Sequence, residues 1–265
     1  MCKTIVIKIG TNILTTDEDH LDLNNLRDLC YQIAEEINEN HSRIILVSSG
    51  AVTSGKSRLK VTTKTIQEKQ ALASVGQILL MDQYLKFFNI KGLQVGQVLL
   101  TKDNFKKNTL KKNILNALNK LIENKAVPII NENDTVATEQ LKDFRFGDND
   151  ELSSLVARLV KADLLVLLTD TEGLYNANPK NHPGAALIPY LDKISPDIFD
   201  LIDDTPNCKS RGGMCSKIKA AAEAAEAGTA VIIASGRHKN VLKNIFENPK
   251  SVGTFIEIKE KTCKK

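Results

Sequence analysis

Strand-like and helix-like segments alternate along almost the whole chain, and that alternation leaves few architectures open to it. Residues 4–9 (TIVIKI) are rich in β-branched side chains and predict a strand. Leu26, Leu29, Cys30, Ile33 and Ile37 recur at helical spacing, which predicts an amphipathic helix over 24–40. Residues 43–47 (RIILV) read as a buried strand, 64–88 as a helix with Gly76 a candidate break, and 93–100 as a third strand. Leu110, Ile114, Leu118, Leu121 and Ile122 mark another helix; 126–130, 164–168 and 230–234 are further buried strands, and 253–258 is the last strand pattern. Strands separated by helices of this length are joined by right-handed crossovers, so the fold class is α/β, with a mainly parallel sheet covered on both faces. Ligands of such sheets gather beyond the carboxyl ends of the strands. The polar clusters fall there: Ser48-Ser49-Gly50 after the second strand, Asn131 to Asp134 after the fourth, Thr169-Asp170 after the fifth.

A chain of 265 residues can bury a substantial core, and 42% hydrophobic with 26% charged residues is ordinary for a globular protein. No apolar run reaches the roughly 18–20 residues of a membrane-spanning helix, and the first residues enter a strand pattern without a secretory signal. A net charge of +4, with both signs interspersed, argues against a nucleic-acid partner. The basic tail, residues 259–265, is read as a solvated end beyond a single domain over 1–258. Five cysteines, Cys2, Cys30, Cys208, Cys215 and Cys263, lack metal-type pairing and are expected to be reduced thiols of a cytoplasmic protein. The stretch 176–189, with three prolines, is the least regular and is expected to form a hairpin or flap.

Four motifs carry chemistry. Lys8-Ile9-Gly10-Thr11-Asn12 places a lysine near the end of an apolar strand, where burial is costly unless an anion meets it; the alternative is a lysine that snorkels to water. Gly10 would let the backbone approach a phosphate. Gly147-Asp148-Asn149-Asp150 precedes a helical pattern near Glu151, and Asp148 with Glu151 fits a capping box. Three consecutive polar side chains exceed what a cap requires. With Asn131-Glu132-Asn133-Asp134 they could hold an ammonium, a bound Mg²⁺ or the lysines of a site. Gly212-Gly213-Met214-Cys215-Ser216-Lys217 leads into an Ala/Glu-rich helix, either an anion-binding N-terminus or a flexible turn. Thr169-Asp170-Thr171-Glu172-Gly173 reads equally as a nucleotide contact or a strand-ending turn.

Residues 50–57 (GAVTSGKS) match the P-loop pattern G-x-x-x-x-G-K-S. The segment that follows, RLKVTTK, is basic and β-branched where a P-loop helix continues apolar, and the pattern follows the second strand, not the first. The P-loop reading is therefore set aside.

Taken together the motifs resemble the glutamate 5-kinases of the amino acid kinase family. The likeness runs in order from KIGTN at Lys8 through SSGAV at Ser48, NENDTVAT at Asn131, GDNDELS at Gly147, LLTDTEGLY at Leu167 and GGMCSK at Gly212 to IASG at Ile233. The NEND and GDND pair is its most specific part. The resemblance implies a three-layer α/β/α sandwich, with glutamate over the N-terminal half and ATP, carrying Mg²⁺, over the C-terminal half. It implies ATP-dependent phosphorylation of the glutamate γ-carboxylate, the first step toward proline. Lys8 and Lys217 would neutralise the transferring phosphoryl group and Asp150 would hold both lysines. Ser49, Asp134 and Asn149 would bind glutamate. Lys8, Gly10, Gly50, Thr169, Asp170, Arg211, Gly212, Gly213, Met214, Cys215, Ser216 and Lys217 would contact ATP, with no protein-held metal. A homo-oligomer and feedback by proline are also implied. Asn178-Pro179 stands where relatives commonly have Asp-Pro, and Arg211 and Cys215 replace smaller residues of the phosphate loop. Two alternatives stay open: a family member with another acceptor (aspartate, N-acetylglutamate, UMP) and a non-catalytic amino-acid sensor. Retention of Lys8, Asp150 and Lys217 together speaks against the sensor.

Overall fold

The computed structural model describes residues 3–16, 18, 20–59, 61, 63–136, 149–179, 181–200 and 213–258. In chain order, β1 (Thr4–Ile9) passes through one helical turn, α1 (Thr11–Leu14), to α2 (Leu23–Asn40) and β2 (Arg43–Ser48). Next come α3 (Ala51–Lys56), the long α4 (Ile66–Ile90), β3 (Gln94–Leu100), α5 (Asn108–Glu123) and β4 (Ala126–Glu132). The second half contains α6 (Asn149–Val160), β5 (Leu164–Thr169), β6 (Tyr190–Leu191) and α7 (Asp197–Asp200). It ends with α8 (Gly213–Glu226), β7 (Ala230–Ser235), α9 (Val241–Glu247) and β8 (Thr254–Ile256).

The strands form an eight-stranded sheet in the order β3-β4-β2-β1-β5-β7-β8-β6. From β3 to β7 every pairing is parallel; β8 runs antiparallel to β7, and β6 pairs parallel with β8. The expected α/β/α sandwich with a mainly parallel sheet is what the chain forms. The connection leaving β1 goes to β2 on one side, whereas β5 lies against the other side of β1. That reversal opens a crevice at the carboxyl ends of β1 and β5, the usual ligand position of an open α/β sheet.

Alternation along β1 decides which side chains enter which layer. Ile5, Ile7 and Ile9 join Leu29 and Ile33 of α2, Leu80 and Phe88 of α4 and Ile245 of α9 in one core. Val6 joins Leu118 of α5, Leu152 and Val156 of α6 and Ile218 of α8 in the other. Lys8, two residues beyond Val6, therefore points toward the α6 and α8 layer.

Two expectations need correction. Gly76 does not break α4, which runs uninterrupted from a capping box in which Thr65 and Glu68 satisfy each other's backbone N–H groups. A Cβ at Gly76 would stand 1.8 Å from the Ala51 carbonyl oxygen and 2.4 Å from the Gly55 nitrogen, so this glycine brings α4 into backbone contact with α3. Gly55, the second glycine of the P-loop-like run, has the same task, since its Cβ would lie 2.1 Å from the Leu72 carbonyl oxygen. Finally, Cys215 is disulfide-bonded, against the expectation of reduced thiols, while Cys30 is free and buried. Residues 176–189 do contain a hairpin-like return, with Tyr175 bridged antiparallel to Leu187. Capping by Asp148 and the tail 259–265 lie outside the described residues.

Because backbone atoms cannot yield as a flexible side chain does, Gly76→Ala is expected to destabilise the protein by about 3 kcal/mol, the upper end of overpacking costs. Gly184→Ala is the control, since a Cβ there meets nothing within 4 Å, and its cost should stay within about 0.5 kcal/mol. Thermal unfolding followed by circular dichroism separates the two; equal midpoints would show that the α3–α4 contact is loose.

Candidate active site

The crevice is built around a buried group of three charges. Lys8, Asp150 and Lys217 are 2%, 0% and 6% exposed. Lys8 Nζ lies 2.7 Å from Asp150 Oδ1 and Lys217 Nζ lies 3.2 Å from Oδ2. The Ser216 hydroxyl donates to Oδ2 at 2.6 Å, and Lys217 Nζ also donates to the Gly213 carbonyl at 3.4 Å. Each partner arrives on a different element: Lys8 from β1, Asp150 from the first turn of α6, Lys217 from the first turns of α8. Snorkelling of Lys8 is ruled out by its position between the sheet and α6.

Burial by itself would raise the Asp150 pKa; the two ammonium groups and the Lys8 and Ser216 hydrogen bonds outweigh it and hold the carboxyl below its usual value. One carboxylate against two lysines leaves a surplus positive charge, and the low-dielectric surroundings make an arriving anion its natural complement. Asp170 borders the same space. Burial raises its pKa, but hydrogen bonds from Asn12 (3.0 Å), from its own backbone and from Thr169 (3.1 Å), with the charge of Lys217, bring it below the usual value.

Backbone shape completes the anion side. Gly10 precedes α1, and a Cβ there would sit 3.4 Å from Lys8 Nζ, space the glycine keeps open beside the ammonium. Gly50 has φ +96° at the start of α3, a left-handed conformation that favours glycine. Gly213, also left-handed, opens α8, followed by Met214, which packs against the core, and Cys215, which is buried. Arg211 and Gly212 lie outside the described residues.

Beside this cluster stands a carboxamide pocket. Asn149 Nδ2 donates to the Ser48 carbonyl, to Ser49 Oγ and to Asn131 Oδ1, each at 2.9 Å. Ser49 and Asn149 are thus brought together as expected. Asp134 is half-buried two residues beyond the end of β4. Sequence reasoning missed three contributors. Gln77 of α4 accepts from Asn131 Nδ2, the Tyr84 hydroxyl lies 2.9 Å from Ser48 Oγ, and Arg237 donates to the Asn12 and Thr15 carbonyls and pairs with Asp22. Gln77 had a readable signal, a polar residue in the apolar stripe that includes Ala73, Leu80 and Tyr84.

The depressed pKa of Asp150 has a defined consequence for stability. Its contribution is fully present above the unfolded-state value of about 4 and is lost as pH falls through the lower folded-state value. Asp150→Asn leaves two buried lysines without their counter-charge, so it should melt well below wild type at pH 7, and the gap should narrow below about pH 4. Melting temperatures of both proteins across that range check this; a gap independent of pH would contradict it.

The profile of the Amino acid kinase family matches residues 3–235. Glutamate 5-kinase of Deinococcus radiodurans is 43% identical over 252 residues, covering 94% of this chain and 68% of that protein. Glutamate 5-kinase of Clostridium tetani is 41% identical over 256 residues, covering 96% and 94%. Among solved structures, carbamate kinase from Giardia lamblia bound to AMP-PNP superposes with a TM-score of 0.67 at 17% identity, over 97% of this chain and 99% of that one, a likeness of fold alone. With the charge cluster, the glycine turns and the carboxamide pocket each at the carboxyl ends of the parallel strands, the chain belongs to the amino acid kinase family, on its glutamate 5-kinase branch.

Proposed function

We propose that the protein transfers the γ-phosphoryl group of ATP to the γ-carboxylate of L-glutamate, giving L-glutamyl 5-phosphate, the first step toward proline. The observation that carries this reading is the surplus positive charge of Lys8, Asp150 and Lys217 lying between two glycine turns and next to the Asn149 pocket. The glutamate 5-kinases to which the chain is 41–43% identical support the choice of acceptor.

In the reaction a carboxylate oxygen of glutamate forms a bond to the γ-phosphorus while the bond to the bridging oxygen breaks and ADP departs. No proton has to move and no protein nucleophile is required, so positioning and charge neutralisation supply the catalysis. Lys8 and Lys217 would meet the phosphoryl oxygens, and Asp150, held ionised, fixes both ammonium groups. Ser49, Asp134 and Asn149 orient glutamate. Gly10 and Gly50 offer backbone N–H groups to phosphate oxygens, and Thr169, Asp170 and the stretch from Arg211 to Lys217 contact the nucleotide. Among the described residues no cluster of three His, Cys, Asp or Glu is placed for a metal. Mg²⁺ is assigned to the nucleotide, whose phosphates supply the oxygen ligands a small hard cation takes, and it would neutralise phosphate charge there. Proline sensing, a homo-oligomer and a cytoplasmic setting belong to the same reading and rest on the family resemblance. No described helix is long and apolar enough to cross a membrane.

Purified protein with ATP and Mg²⁺ is to be offered glutamate, aspartate, N-acetylglutamate and UMP, with ADP release followed and acyl phosphates trapped by hydroxylamine. Glutamate should give the hydroxamate, and the other acceptors should turn over slower by about 10²-fold or more, because a site built of polar partners rejects what cannot satisfy them. Preferential turnover of another acceptor, or binding without any ADP release, would overturn the reading.

A further inference from the structure

Helix α4 carries two buried polar side chains, Gln77 and Tyr84, seven residues apart and so on one face. Each meets the end of a different strand: Tyr84 stands against Ser48 of β2, and Gln77 Oε1 accepts from Asn131 Nδ2 of β4 at 2.8 Å. From Asn131 the chain of bonds continues into the carboxamide pocket, since Asn131 Oδ1 accepts both from Asn149 Nδ2 at 2.9 Å and from the Glu132 backbone nitrogen at 2.8 Å.

The direction of this relay is dictated by groups that cannot reverse. The Glu132 N–H only donates, so Asn131 must present Oδ1 to it; the Ser48 carbonyl only accepts, so Asn149 must present Nδ2. Asn131 Nδ2 is then left facing Gln77, which has to answer with Oε1. At the far end Asn149 Oδ1 receives no hydrogen bond from any described residue. Gln77 itself holds an awkward place. It is 8% exposed and its Nε2 is buried without a partner among the described residues, an arrangement that an apolar residue at the same point of the stripe would avoid. Its neighbour Gly76 is the residue clamped against the α3 backbone, so the position of Gln77 is set by the tightest helix contact beside the site.

We infer that Gln77 is a positioning residue for the acceptor substrate: by accepting from Asn131 Nδ2 it holds Asn131 in contact with Asn149, whose Nδ2 is already committed to the Ser48 carbonyl and whose Oδ1 is left as an acceptor for a bound ammonium group. The inference rests on the glutamate kinase reading and adds a residue that does not touch the substrate. With no acceptor at position 77, Asn131 Nδ2 becomes a buried donor that must turn elsewhere for a partner, and Asn149 loses the fixed position of one of its three acceptors. The nucleotide side shares none of these bonds.

Gln77→Met keeps the length of the side chain and removes the acceptor, whereas Gln77→Glu keeps an acceptor oxygen at the same reach. Steady-state kinetics should show the glutamate KM of Gln77→Met raised about 10-fold, with the ATP KM within about 2-fold of wild type. Gln77→Glu should return the glutamate KM to within about 3-fold. A glutamate KM unchanged in Gln77→Met overturns the inference, as does a parallel rise of both KM values, which marks a packing defect. A Gln77→Glu variant as impaired as Gln77→Met also overturns it, because the buried Nε2 donor would then be the functional group. Should Gln77→Met fail to fold, Gln77→Ala is judged by the same thresholds. Wild-type hydroxamate formation tests the underlying reading separately, and only variant-to-wild-type ratios bear on Gln77.

Discussion

Two lysines and one aspartate share a space from which water is excluded, and the geometry of the protein is organised around that fact. An isolated charge in such surroundings would be neutralised or expelled. Here Asp150 is gripped on both oxygens, and its two partners come from β1 and α8, elements separated by most of the chain. Removing one member of a buried pair typically costs about 3–5 kcal/mol because the other is left unmatched. The cluster therefore pins β1 to α8 while holding a net positive charge in reserve. A purely structural ion pair has no use for the second lysine; a centre that receives phosphoryl oxygens does.

The sheet makes this placement possible through parity alone. Odd residues of β1 fill the core beneath α2, α4 and α9, and even residues face α5, α6 and α8. Shifting β1 by one residue would turn Lys8 into the wrong layer. The acceptor pocket depends on the opposite layer: α4, clamped to α3 through Gly55 and Gly76, sends Gln77 and Tyr84 to the ends of β4 and β2. One layer holds the charge cluster, and the other contributes Gln77 and Tyr84 to the frame of the carboxamide pocket.

Much of this was legible in the sequence. The β-branched runs gave strand positions to within a residue or two, and the cost of burying Lys8 left two readings, an anion beside it or a side chain that snorkels to water, with Asp150 as its partner implied by the family resemblance alone. What stayed hidden was tertiary. Gly76 looked like a helix break because local propensity counts only the missing side chain, while the backbone of α3 lying 1.8 Å from its would-be Cβ is invisible in one dimension. The same contact explains the P-loop-like run: Gly50 is there for a left-handed turn and Gly55 for helix packing, so two unrelated demands produced a nucleotide-binding spacing. Gln77 was missed because its importance lies in which end of a carboxamide it satisfies, and helix α9 because seven residues give too short a period to read. The reduced state expected of Cys215 failed because counting cysteines does not say which of them the fold brings together.

The central claim is that the phosphoryl group is met by Lys8 and Lys217 and not by Lys56 of the P-loop-like run. Both lysines would face charge that spreads over the phosphoryl oxygens in the transition state, whereas Lys56 sits at the carboxyl end of α3, outside the charge cluster. The direct measurement is kcat for Lys8→Ala, Lys217→Ala and Lys56→Ala, with folding verified by circular dichroism. The first two should lose about 10²-fold or more, the scale of removing one transition-state donor, and Lys56→Ala should change by no more than about 1 kcal/mol. An inactive Lys56→Ala beside active Lys8→Ala and Lys217→Ala would contradict it.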